Sequence, residues 1–113
     1  MLALPTLKFS INKLTVSQTV GTVTLTVQRV GSTLGAVAVA FATTNGTAIA
    51  GTDYTAVGST LNWAAGDGTT RTISVPIINR GVVVADRKFT LSLSPPTGAT
   101  LANPSTVTIT IHN

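Results

Sequence analysis

Asp53, Asp67, Asp86 and His112 are the only carboxylate and imidazole side chains in this 113-residue sequence, which has no cysteine. They limit the chemistry available. A Ser-His-Asp arrangement needs its imidazole pinned between two partners, and His112, at the penultimate position, is poorly placed for that. The three aspartates stand on separate stretches, so no acid–base pair is expected and the sequence reads as non-enzymatic. The missing cysteines exclude a disulfide framework and a thiolate-ligated metal. There is no zinc, phosphate-loop or dinucleotide motif, and no cofactor is expected.

Elements of period two must carry these residues. Leu7, Phe9 and Ile11 alternate with Lys8, Ser10 and Asn12, and Leu14 to Val16 resumes the pattern, which predicts one bent edge strand. Val23, Leu25 and Val27 alternate with Thr22, Thr24, Thr26 and Gln28 in the clearest strand. Val37, Val39 and Phe41 then face one way and Ala36, Ala38, Ala40 and Ala42 the other, before a loop containing Asn45 and Gly46. Leu61 and Trp63 share a core face ahead of the turn Ala65-Gly66-Asp67-Gly68. Ile73, Val75 and Ile77 predict a strand that Pro76 marks as an edge or a bulge. Phe89, Leu91 and Leu93 form another strand, closed by Pro95 and Pro96, and Val107, Ile109 and Ile111 form the last. No stretch has a helical period. The reading is all-β: a two-layer antiparallel β-sandwich, immunoglobulin-like, of about seven to eight strands. Residues 1–6 are read as an N-terminal arm and 7–113 as a single domain.

The stretch GTAIAGTDYTAVGSTLNW, with TVGTVTLTVQRVGS before it and VPIINRGVVVADRKFTLSLSPPTGATLANPSTVTITI after it, resembles the Calx-beta domain, and in the order that family shows. The resemblance implies a sandwich with calcium held at one end by carboxylates from several loops, since that hard cation takes six to eight oxygens. This sequence departs from the pattern at those positions. Gln18 stands where the family usually has Glu, Asn79 and Arg80 where an acidic pair is common, Val84 and Arg87 at the two Glu positions of a Glu-x-x-Glu, and His112 and Asn113 where the final strand ends acidic. Each change removes a ligand charge and two add a positive one, so a calcium-independent relative is expected. The opposing reading keeps Asp53 and Asp86 as a weak residual site. Asp53 reads as bonding backbone amides of its own loop rather than as a metal ligand. Tyr54 reads as a half-buried anchor whose hydroxyl caps a backbone group, Trp63 as core rather than a sugar platform, and Asn45-Gly46-Thr47 as a turn rather than a glycosylation site.

Hydrophobic residues make up 43% of the sequence and charged ones 9%, with a net charge of +4. No apolar run approaches the roughly 18 residues of a membrane span. The cations are scattered, without a basic run or an aromatic platform, so nucleic acid is not the expected partner. Outward strand positions carry Thr, Ser or Ala instead of the charges that usually keep sheets apart. The expected partners are therefore proteins, either copies of itself or a larger particle or surface scaffold. Ala38, Ala40 and Ala42 would supply a contact face, and Arg80, Arg87 and Lys88 a basic end that meets an acidic neighbour. The sequence shows no classical signal peptide. The setting that fits is a virion surface or another extracellular assembly; the alternatives are an adhesion module excised from a large bacterial surface protein and a calcium-stiffened repeat of an array.

Overall fold

A computed structural model describes residues 4–81 and 85–112. Nine strands form among them and no helix: β1 Thr6–Phe9, β2 Lys13–Ser17, β3 Thr22–Val30, β4 Val37–Asn45, β5 Gly58–Trp63, β6 Arg71–Pro76, β7 Arg87–Leu93, β8 Thr100–Leu101 and β9 Thr106–His112. They make a four-stranded sheet, β6-β3-β1-β8, and a five-stranded sheet, β2-β9-β7-β4-β5. The inner faces bury the alternating residues already picked out, among them Leu7, Phe9, Leu25, Val39, Trp63, Val75, Phe89, Leu91, Ile109 and Ile111. The all-β sandwich is as the period-two pattern requires, because only one face of each strand is apolar enough to leave water.

Four expectations are corrected. The bent edge strand is two strands in different sheets: β1 lies inside the first sheet between β3 and β8, and β2 forms an edge of the second. The polar break at Ser10–Asn12 is where the chain changes layer, which leaves Ile11 39% exposed. Not every pairing is antiparallel, since β1 runs parallel to β8 and β2 parallel to β9. Asn45 belongs to the end of β4, opposite Phe89, not to the loop that follows. β1 starts at Thr6, and Pro5 ahead of it is buried with its carbonyl accepting the N–H of Thr100 at 3.0 Å. Pro76 ends β6, an edge strand, where its missing donor removes no interior ladder bond.

At one end of the sandwich the packing is completed by a cation. Arg29 continues the inward phase of β3 and is 7% exposed. Its guanidinium donates to the carbonyls of Ser32 at 3.1 Å, Asp67 at 3.0 Å and Gly35 at 2.6 Å, tying the β3–β4 loop to the β5–β6 turn. Trp63 lies beside this turn, buried, with its indole N–H donating to the Thr69 carbonyl at 2.6 Å and the Arg71 guanidinium 5.2 Å from its ring centre. Asp67 pairs with Arg71 at 2.6 Å.

Candidate functional site: the loop end around Asp53

The opposite end gathers the residues that the sequence singled out. The loop after β4 turns back on itself at Gly46, where a Cβ would fall 2.5 Å from the Lys88 carbonyl oxygen, so only glycine fits this close approach. Ala48 is thereby buried and donates its N–H to that same carbonyl at 2.8 Å. The following turn carries Asp53 inward until it is 2% exposed, with Oδ2 accepting the Ile49 N–H at 2.9 Å.

Arg87 opens β7 in phase with Phe89, Leu91 and Leu93, so its side chain enters the layer between the sheets and is 6% exposed. Its Nε lies 2.6 Å from Asp53 Oδ1. The N–H directions do not line up with that oxygen: among the described residues Nε and Nη2 are buried without a hydrogen-bond partner, while Nη1 donates to the Ala85 carbonyl at 3.1 Å. The contact is therefore Coulombic rather than a two-pronged fork. Arg80, on the β6–β7 loop and partly exposed, places Nη1 3.5 Å from the same Oδ1. Its backbone N–H donates to Oε1 of buried Gln18 at 3.2 Å, and the Gln18 N–H donates to the His112 carbonyl at 2.7 Å.

One carboxylate thus faces two guanidinium groups, with an amide where the family pattern has an acid. Asn79 is spent on its own turn, its Oδ1 accepting the Gly81 N–H at 2.9 Å. Asp86 is exposed, and Val84 and Asn113 lie outside the described residues. Among the described residues no three His, Asp or Glu side chains come together closely enough to hold a metal ion.

Two expectations for this end need correction. Arg87 is buried and turned toward Asp53, because its position in β7 points inward, so it does not offer the outward contact expected of it; Lys88, next along the strand, is exposed. Tyr54 is 1% exposed, not half-buried, and its hydroxyl donates to the side-chain Oδ1 of Asn45 at 2.6 Å. Its ring stacks on Phe89 with centroids 3.9 Å apart and planes within 8°. Burial raises the Tyr54 phenol above its ordinary pKa, partly offset by a hydrogen bond from Thr43. Asn45 Oδ1 also accepts the Ala50 N–H at 2.9 Å, so the end of β4 anchors the loop that follows it.

Of the proposed contact face, Ala40 and Ala42 are exposed and Ala38 is half-buried beside Thr97. A shallow depression of about 400 Å³ lies at that end of β4 and β5, lined by Ala36, Ala38, Asn62 and Ala64 over Trp63. None of its lining groups is titratable.

The Calx-beta domain family matches residues 3–113. No curated protein matches the chain. Among solved structures, the chain is similar to the apo-form Calx CBD1 domain, with 27% identity and a TM-score of 0.90 over 96% of each chain. It is also similar to the calcium binding domain CBD12 of CALX1.1, with 28% identity and a TM-score of 0.87, and spans 43% of that structure's chain. The Calx CBD2 domain shares the fold, with a TM-score of 0.84 at 17% identity.

Proposed function

The chain belongs to the Calx-beta domain family, and on that premise we propose that it is a calcium-independent, non-catalytic structural module that works by assembly with other protein surfaces. The observation that carries this reading is the position of Arg87 Nε, 2.6 Å from Asp53 Oδ1. A similar solved structure is named a calcium binding domain. In the present chain a guanidinium already occupies the coordination space of the single buried carboxylate, and Arg80 brings a second positive charge to it. Calcium would have to displace both cations and find at least six oxygens at about 2.3–2.6 Å. An internal ion pair thus holds the loop end together here in place of a bound cation. The extracellular or virion-surface setting is part of the same proposal, and neutral outer sheet faces favour it over a free-standing enzyme or nucleic-acid binder.

A calcium titration followed by thermal unfolding tests the reading. The melting temperature is expected to stay constant up to millimolar calcium, apart from the small change that magnesium produces equally. A saturable rise specific to calcium would overturn it.

A further inference from the structure

We infer that β5 is a self-pairing edge, through which two copies of the chain join antiparallel into one continuous sheet across a two-fold axis at Thr60. One side of the β5 backbone is already used by β4. The Ser94 N–H donates to the Ala40 carbonyl, and Ala38 exchanges bonds with Thr97, so the even-numbered residues of β4 face away from β5. The odd-numbered ones face it, as the Thr43 N–H bond to the Val57 carbonyl at 3.0 Å confirms. In the register Val39↔Leu61 and Phe41↔Ser59, the ladder bonds of β5 therefore belong to Ser59, Leu61 and Trp63. Gly58, Thr60 and Asn62 point their N–H and C=O groups out of the sheet. One of these outward groups is covered: the Asn62 carbonyl accepts from Arg71 Nε at 3.2 Å and Nη2 at 3.0 Å. No described hydrogen bond reaches the backbone of Gly58 or Thr60.

The other three sheet edges carry the usual protections. β8 is two residues long, β6 ends with Pro76, and β2 begins with Lys13. Short length, proline and charge each discourage strand addition. β5, with the sequence GSTLNW, has no proline and no charged residue of its own over its six residues; the cation at this edge is Arg71, which covers the Asn62 end and leaves Gly58 and Thr60 open.

A second copy is the occupant because this edge is complementary to itself. With Thr60 opposite Thr60, the two residues exchange N–H and C=O bonds, and Gly58 falls opposite Asn62, whose N–H can donate to the Gly58 carbonyl while its own carbonyl stays with Arg71. Both copies present the same outer face, so Ala40 and Ala42 continue across the join as one neutral surface. Arg71, the nearest cation, is compensated by Asp67 at 2.6 Å and does not oppose the approach. The net charge of +4 on each copy does, so pairing strengthens with salt. One strand edge buries less surface than a stable dimer needs. The join is therefore weak between free copies and effective where copies are held close together. The inference names the partner for the assembly reading above and rests on it, while calcium independence is decided separately by the titration.

The test is self-association of the whole chain by sedimentation and by amide chemical shifts, up to a concentration on the order of 1 mM. Concentration-dependent shifts are expected at residues 58–62. Thr60→Lys, at an exposed position that leaves the core untouched, is expected to weaken association about tenfold or more, whereas Thr15→Lys on β2 leaves it unchanged. Association that Thr60→Lys does not affect would overturn β5 as the join and leave the assembly reading standing. A chain that stays monomeric throughout would overturn self-pairing altogether.

Discussion

Asp53 is the aspartate that the fold buries, and its environment is over-supplied with positive charge. Removing one partner of a buried ion pair strands the other, which costs about 3–5 kcal/mol. Asp53→Asn leaves Arg87 beside Arg80 with the Ala85 carbonyl as its one acceptor among the described residues, so a loss in that range is expected from urea unfolding. Arg87→Met is expected to cost less, about 2 kcal/mol, because Asp53 keeps Arg80 and the Ile49 N–H. The double variant should cost less than the two singles together, since it buries no unpaired charge; coupling of about 1–3 kcal/mol is the expected result. Additive losses would mean that the 2.6 Å contact contributes nothing as a pair. The sign of this arrangement was legible in sequence as a run of lost acids. The pair itself was not, although one signal for it exists: Arg87 is in phase with Phe89, Leu91 and Leu93, so a charge lies on the inward side of a strand. Such a residue must find a partner inside.

Arg29 follows the same rule in the other sheet, in phase with Val23, Leu25 and Val27 on β3. Here the partners are three carbonyls from two loops, so the cation works as a clamp between elements rather than as half of an ion pair. Charged hydrogen bonds of this kind contribute about 1.5–3 kcal/mol each at most, and freed loop carbonyls can regain water. Arg29→Met is therefore expected to cost about 2–4 kcal/mol and to speed amide exchange at Ser32–Gly35 and Gly66–Thr69 ahead of the strands. At this scale, strand identity was readable because alternation reports one buried face at a time. Partnership was not readable in the same way. β8 is two residues long, too short for any period. The parallel pairings β1–β8 and β2–β9 join segments far apart in the chain, and nothing local distinguishes them from antiparallel ones. The layer change at Ser10–Asn12 looks in sequence like a polar interruption of one strand, because a bend and a crossover both need a short solvated break.

Two acids in different regions of the molecule, Asp67 and Tyr54, are shifted in opposite directions, and each shift makes stability depend on pH. Asp67 is held well below the usual carboxylate range, first by the Thr69 hydroxyl, then by Arg71 and by the Thr69 N–H. A depressed folded pKa gives stability that is present above the unfolded value of about 4 and is lost as pH falls through the folded one. Tyr54 is shifted the other way, upward, by burial. Its contribution is complete below the unfolded value of about 10 and disappears as pH rises through the folded value. Melting temperature is thus expected to be level across the neutral range, with an acid limb below pH about 4 that Asp67→Asn flattens and an alkaline limb above pH about 10 that Tyr54→Phe flattens. An acid limb unchanged in the Asn variant would assign it to the other carboxylates instead.

The outer faces bear on assembly at the same scale. Ala40 is exposed beside Thr60 across the β4–β5 pair, so both belong to one small, uncharged surface. Ala40→Lys places a charge on that surface without touching the backbone edge. If copies meet only edge to edge, Ala40→Lys should leave the association constant nearly unchanged while Thr60→Lys lowers it. If copies also stack face to face, Ala40→Lys should break up species larger than the dimer and spare the dimer itself. Sedimentation of the two variants side by side separates a sheet that grows sideways from one that also packs through its faces, because only the face-to-face contact covers the Ala40 methyl.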